Sequence, residues 1–425
     1  MDRRQFIGGA IAGSGLMFMQ PRTAFGYQAN SAVRLALLGC GSRGTTVAAS
    51  FANNTSARIV ALADLFPDKL ELGKTHFDQV ADKLGYAGID TKLMFRGHNA
   101  FEAVAACPDV DAVQISTPPW FHVQHLDAVV NAGKHAYCEK PVGVDVAQAN
   151  QALQIARRAD GNVSVEVGFQ IRRAPPFVEI VRRIHAGALG KIACIATNYN
   201  APEVSYPERP PQMSTNELRL RNWLWDRTLS GDIIVEQNIH VIDMCNWILQ
   251  AHPLNATGTG GRNVVSNFGN TWDNYEVVFT YPENVRASFS STQFGTNGWF
   301  EVSTRVLGSA GIAEAPYSGP LRILGDHAWT WKDEAPASQT KTSATFAANG
   351  AFANNLALAD REKERSFIES ISSGQFHNQI ATGVESAMSA MLGRMAARLG
   401  REVTWEELLQ KGEEYELNID MNRFS

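Results

Sequence analysis

The chain has 425 residues, 44% of them hydrophobic, and a formal net charge of −5. That is enough apolar sequence for two packed domains, and the acidic balance offers no basic patch of the kind a nucleic acid requires. The five cysteines, Cys40, Cys107, Cys138, Cys194 and Cys245, lack the paired spacing of a zinc site or a disulfide framework, so no metal is expected.

The segment Met1 to Met19 opens with Arg3-Arg4, then Phe6, then a weakly hydrophobic run rich in glycine and alanine. Twin arginines ahead of such a run are the pattern of a twin-arginine export signal, and the run is too short for an ordinary membrane anchor. Residues 1–30 are therefore set apart from the fold, with a cleavage site expected near Ala24. This route carries folded proteins, so its Tat export machinery is an expected partner. The expected location is the periplasm or the medium, with a membrane tether if the signal is retained.

Apolar strands are predicted at 33–38, 58–63, 111–115 and 134–138, with helical patterns at 45–53, 67–83, 99–106, 121–132 and 146–158. This alternation predicts a doubly wound α/β domain of Rossmann type over residues 31–158. Its first turn reads Gly39-Cys40-Gly41-Ser42-Arg43-Gly44. Gly39 permits the tight turn, Gly41 lets the backbone approach a pyrophosphate, and Gly44 lets the helix sit close on the strand. The second strand ends at Asp64, 20 residues after Gly44, where a carboxylate accepts the ribose hydroxyls of a dinucleotide. Asp64 would repel a 2′-phosphate, which favours NAD over NADP, although Arg43 is a guanidinium that such a phosphate could pair. Later strands end in Ser116-Thr117-Pro118-Pro119 and Glu139-Lys140-Pro141, at the carboxyl edge where open α/β sheets bind ligands.

Beyond residue 158 the pattern changes to β-branched, alternating runs at 191–198, 255–260, 275–281, 285–292, 300–307 and 321–324. These predict a large, mostly antiparallel sheet in a second α/β domain, 159–425, with helices at 175–186 and 236–250. The polar stretch 335–355 reads as a surface loop, and helical patterns at 356–373 and 380–399 close the chain. Glu236 and His240 stand four apart at the start of the 236–250 pattern, which puts a carboxylate beside an imidazole on one helical face. Hydride transfer from a secondary alcohol needs a group that takes the hydroxyl proton near neutral pH, and histidine suits it.

Gly39 to Gly44, Asp64, Thr117-Pro118-Pro119 with His122, Glu139-Lys140-Pro141, and the run Glu236 to Asp243 occur in an order and spacing that resembles the family of glucose-fructose oxidoreductase, inositol dehydrogenase and MocA. The resemblance covers essentially everything after the export signal. It implies a Rossmann domain followed by a domain with an open antiparallel sheet, chemistry on sugars and cyclitols, and dimers or tetramers formed through that sheet. It implies that Lys140 hydrogen-bonds the reacting hydroxyl or carbonyl; with that, His240 is read as the general acid/base, Lys140 as the electrostatic partner of the developing alkoxide, and Glu236 as the orienting or substrate-binding carboxylate, or as sharing the proton work with His240. Relatives often carry aspartate at the position of Glu236. Thr117, Pro118 and Glu139 are expected near the cofactor, His122 either touches the cofactor or is a capping or packing histidine, and Asp243 is expected to be structural. Arg172 resembles an arginine near the family's substrate cleft, with a domain-interface ion pair as its alternative. Trp223 and Trp225 either stack on a sugar face or belong to the core. The loops 199–220 and 261–275 are expected to line the pocket.

The leading expectation is an exported NAD(P)-dependent oxidoreductase that passes hydride between nicotinamide and a sugar, cyclitol or glycoside. Free NAD is scarce outside the cytoplasm, which points to a tightly held cofactor. Two other readings stand beside it: a redox-neutral NAD-dependent glycosidase or lyase working through a transient keto-sugar, and a non-catalytic sugar- or nucleotide-binding protein. The combination of lysine, histidine and carboxylate argues against the last.

Overall fold

The computed structural model describes residues 32–202, 212–265, 268–294, 300–332 and 354–424. Residues 1–30, read above as an export signal, and the polar stretch 335–355 up to residue 353, lie outside the described residues. Strands Arg34–Leu38 (β1), Arg58–Asp64 (β2), Met94–Arg96 (β3), Ala112–Ile115 (β4), His135–Cys138 (β5) and Val165–Val167 (β6) form one sheet, ordered β3-β2-β1-β4-β5-β6. Every pairing in it is parallel. The crossovers are Ser42–Asn54 (α1), Pro67–Leu84 (α2), Ala100–Ala106 (α3), His122–Asn131 (α4) and Val146–Ala159 (α5). Helices on both faces leave β4 and β5 wholly buried, which is why these strands read as continuous apolar runs and not as alternations. The strand order reverses between β1 and β4, so the crevice for a ligand opens there, at the carboxyl ends.

Two of these strands escape the sequence pattern. β3 and β6 have three residues each, too few to show a period, and they are strands because a neighbour offers them a hydrogen-bonded edge. β6 pairs with β5, so the first sheet continues to Val167, past the boundary drawn at 158.

The second domain contributes Pro175–His185 (α6), Ile192–Ala201 (β7), Thr215–Arg221 (α7), Arg227–Ser230 (α8), Ile233–Glu236 (α9), Ile239–Leu249 (α10), Asn255–Gly261 (β8), Asn274–Thr280 (β9), Arg286–Gln293 (β10), Glu301–Gly308 (β11), Gly311–Pro316 (β12), Arg322–Gly325 (β13) and Trp329–Thr330 (β14). Then come Ala359–Ser373 (α11), Ile380–Leu399 (α12), Val403–Thr404 (β15) and Trp405–Lys411 (α13). The strands form a sheet in the order β14-β13-β12-β11-β7-β10-β9-β8-β15, antiparallel except for the parallel pair β7 and β10. Alternating burial along β9 and β10 shows one face packed and one open, as the alternating sequence predicts. β12, rich in glycine and alanine, carries too little β-branched content to be read in advance.

The last two long helices return to the first domain, α11 against α1 and α12 against α5. Phe51, Tyr137 and Phe367 meet edge-on there. Beneath them Lys363 is fully buried, with Nζ 2.7 Å from Asp360 Oδ1 and 5.1 Å from the Tyr137 ring. The adjacent Glu364 carboxyl places Oε2 2.5 Å from Ser50 Oγ, and Oε1 has no partner among the described residues. Burial pushes this carboxyl up to about 8, above the value of about 4.3 for an unfolded glutamate. Between those values the folded chain holds a proton that the unfolded chain has lost, so this group lowers stability as pH rises. Glu364→Gln is expected to raise the melting temperature relative to the parent by more at about pH 8 than at about pH 5. A constant offset in thermal unfolding across that range would contradict this ionisation.

Candidate active site

The turn from β1 into α1 is shaped by three glycines with different constraints. Gly39 has φ 97°, and a Cβ there would meet the Ser116 carbonyl oxygen at 2.6 Å. A Cβ on Gly44 would stand 2.1 Å from the Gly39 oxygen, so helix and strand pack only through glycine. Around Gly41 nothing lies within 4 Å of where a Cβ would be, which leaves the backbone open on the cleft side. The N-terminus of α1 points to the same cleft and carries no side-chain cap, a helix end that favours an anion. These observations fit a dinucleotide pyrophosphate.

Asp64 sits at the end of β2 and faces the same cleft. Its Oδ2 accepts from the Cys40 amide at 2.7 Å and its Oδ1 from the Phe66 amide at 2.8 Å. Burial pushes the carboxyl up while these two N–H groups hold it down. Each oxygen keeps a second acceptor direction for ribose hydroxyls.

Arg43 is placed differently from expectation. Its guanidinium bonds both oxygens of Asp360 at 2.9 Å and Glu139 Oε1 at 3.1 Å. Its guanidinium is therefore engaged by two carboxylates, while the residue still lines the cleft. Glu139 is buried and also receives the Tyr137 hydroxyl at 3.2 Å. Arg43 and the other neighbouring cations hold its carboxyl below the usual range despite burial. It lines the cleft as the support of Arg43.

Thr117 and Pro118 line the cleft with Ser42. Thr117 Oγ1 is 3.0 Å from His125 Nδ1, and burial lowers that imidazole to about 3. His122 is fully enclosed, with Nδ1 2.8 Å from the Pro141 oxygen and Nε2 2.7 Å from the Thr117 oxygen. Burial lowers its pKa, so the ring carries one N–H and donates to one of these two carbonyls, which places His122 between the β4 loop and the β5 loop; it also lines the cleft.

Lys140, Glu236 and His240 converge on the cleft. Lys140 Nζ donates to Glu236 Oε1 at 2.7 Å and also to the Glu236 carbonyl oxygen. Both side chains keep a little exposure, 13% and 12%, enough for a substrate to reach them. The helix expected over 236–250 is in fact two, broken at Gln237 and Asn238. At the break the Glu236 carbonyl is taken by the lysine, and Asn238 becomes the N-cap of α10. His240 stands in the first turn of α10, edge-on to Phe169 with ring centroids 6.2 Å apart. Its Nδ1 is buried with no partner among the described residues. Burial, then the cations Lys140, Arg43 and Lys363, push its pKa well below the usual histidine value, so the ring rests neutral.

The weaker candidates divide. Trp223 lines the cleft, whereas Trp225 is buried against the backbone at Gly269 and belongs to the core. Arg172 is held bidentately by Asp243, with Nε to Oδ2 at 2.9 Å and the terminal nitrogen to Oδ1 at 2.9 Å. Asp243 is fully buried and also bonds Ser386, so Arg172 belongs to an ion pair within the second domain, neither at the domain interface nor in the cleft lining. Tyr199 and Leu220 from the 199–220 stretch line the cleft, but no described residue of 261–275 does. That second loop closes on itself, with Asp273 accepting from the Val264 and Val265 amides at 2.7 and 2.8 Å. Sequence reasoning missed Tyr199, whose hydroxyl burial and the nearby Glu236 hold protonated. It sits on β7 in an alternating run, where nothing local separates it from a core tyrosine.

The family model described as "Oxidoreductase family, NAD-binding Rossmann fold" matches residues 33–167, and that described as "GFO/IDH/MocA C-terminal domain" matches 177–314. Inositol 2-dehydrogenase of Rhizobium meliloti (strain 1021) is 27% identical over 296 residues, 68% of this chain and 78% of that protein. The rhizopine catabolism protein MocA of Rhizobium meliloti is 26% identical over 222 residues, 52% of this chain and 59% of that protein. A solved levoglucosan dehydrogenase, in complex with NADH and levoglucosan, shares the fold with a TM-score of 0.67 at 16% identity, over 88% of this chain and 99% of that one.

Proposed function

Because the chain belongs to the Gfo/Idh/MocA oxidoreductase family, with its NAD-binding Rossmann domain, we propose that it is an NAD-dependent dehydrogenase of a sugar, cyclitol or related polyol. The observation that carries the reading is the Lys140 ammonium, 2.7 Å from Glu236 Oε1, in the one cleft that also presents Gly41, Asp64 and His240. Preference for NAD over NADP is supported by Asp64 at the ribose position and by the engagement of Arg43 with Asp360 and Glu139. The twin-arginine segment supports export to the periplasm or medium, and export supports a tightly held cofactor.

The bound nicotinamide supplies the hydride acceptor or donor. The carbinol carbon gives up its C–H electron pair as hydride, and the O–H pair closes the carbonyl. His240, neutral at rest, takes the hydroxyl proton on its imidazole and returns it in the reverse direction. Lys140 faces the oxygen on which negative charge develops and stabilises it electrostatically. Glu236 fixes the Lys140 ammonium and offers its remaining lone pairs to a neighbouring substrate hydroxyl.

Purified protein without residues 1–30 would be incubated with NAD and a panel of cyclitols, aldoses and glycosides while reduced nicotinamide is followed by near-ultraviolet absorbance. A rise with one polyol class, reversed by the corresponding ketone, is the expected result. Cleavage of a glycoside with no lasting rise would favour the redox-neutral lyase instead. Nucleotide binding with no turnover of any polyol would leave a binding protein.

A further inference from the structure

The nucleotide half of the cleft is not built by the Rossmann domain alone. Beyond α13 the chain returns to its rim, where Met421 joins the lining. The Tyr415 amide donates to Asp145 Oδ2 at 2.9 Å, and Trp120 Nε1 donates to the Tyr415 oxygen at 3.4 Å. Leu417 and Ile419 then bury themselves beside Phe121, Leu220 and Leu229. Met421 enters the cleft lining with Phe66, His98 and Phe101. Finally the His98 amide donates to the Phe424 oxygen at 3.1 Å, and the Phe424 ring meets the edge of Phe66 at 6.2 Å.

A second element reaches the same point from α7. The Arg221 guanidinium lies 3.9 Å from the Phe66 ring centroid and bonds both oxygens of Asp68 at 2.8 and 3.0 Å. Phe66 is thus held between Arg221 and Phe424, one from each of two elements outside the first sheet. It follows Asp64 by two residues and gives its amide to Asp64 Oδ1 at 2.8 Å. Whatever fixes Phe66 therefore fixes the carboxylate that receives the ribose. This combination covers the adenosine end with apolar surface and a cation, while leaving the Lys140 end to the substrate.

We propose that the C-terminal segment 415–424 and Arg221 form a strap over the adenosine end of the nucleotide cleft, which keeps the dinucleotide bound from one turnover to the next. The inference rests on the reading of the cleft as a nicotinamide dinucleotide site. Release requires the strap to lift, which breaks the His98–Phe424 hydrogen bond, the Phe66 contacts and the Arg221–Asp68 pair together.

The test loads the full-length protein with NADH and follows nicotinamide fluorescence as excess NAD displaces it, in the parent, in Arg221→Gln, and in Met421→Ser combined with Phe424→Ala. Release faster by about tenfold or more is expected in both variants, since contacts of this kind act mainly on dissociation. The parent is expected to keep its nucleotide through gel filtration, and the variants to lose theirs. Release within about twofold of the parent in the Met421/Phe424 variant overturns the strap while the dehydrogenase reading stands. If the parent binds no NADH at all, both fall. Should the double variant not fold, Phe424→Ala alone reads the same contact.

Discussion

Lys140→Met is expected to lower kcat by about 10²–10³, with nicotinamide dinucleotide still bound at close to the parent's affinity. The ammonium is one of two groups placed to act on the reacting oxygen, and its worth lies in a partly enclosed site where charge is poorly screened. Methionine keeps most of the length and packing of the lysine stem, so the loss reads the charge and not the volume. Removing Lys140 also leaves Glu236 without the cation 2.7 Å away, and substrate KM is expected to rise as that carboxylate turns toward water. Among the described residues no hydrogen bond or ion pair joins Lys140 to the glycine turn, Asp64 or residues 415–424, which is why nucleotide binding is expected to survive. Equal losses in nucleotide affinity and kcat would show that Lys140 holds the cofactor and does not act on the substrate.

His240→Gln is expected to cost about 10²–10⁴ in kcat for alcohol oxidation, the range of a positioned general base. The parent's pH profile carries the more specific sign. Oxidation needs the neutral imidazole, which exists above its pKa, and burial with the cations Lys140, Arg43 and Lys363 pushes that pKa down. Values of kcat/KM for oxidation should therefore stay level as pH falls to about 6.5, the ordinary histidine value, and decline only below it. Ketone reduction needs the protonated ring and should gain over that same acid range. A decline of oxidation already centred at or above the ordinary histidine value would place the proton on another group.

The first domain was legible because its chemistry is local. Gly39, Gly41 and Gly44 are required by a turn, an open approach and a close packing distance, each of which a short sequence pattern encodes. Asp64 follows from its distance along the chain, and Lys140 from its place between a strand and a proline. What stayed hidden depends on residues far apart in sequence. Arg43 meets Asp360 across 317 positions, and no local feature says that the guanidinium is already used. Glu236 and His240 looked like one helical face, but Lys140 captures the Glu236 carbonyl and the helix restarts at Ile239. Short strands such as β3 and β6, and the run from Tyr415 to Phe424, have no period of their own and take their form from the surfaces they meet.

The most direct test of the cleft as a hydride-transfer site uses a substrate identified by the polyol panel, labelled with deuterium at the carbinol carbon and turned over once by nucleotide-loaded protein. Extracted cofactor should carry the label at nicotinamide C4 in the parent and should lack it in Lys140→Met and His240→Gln over the same interval. This readout does not depend on whether reduced nicotinamide accumulates, so it covers a retained cofactor as well as an exchanging one. Product formed by the parent with no deuterium on the nicotinamide would contradict the assignment of Lys140, Glu236 and His240 to hydride chemistry.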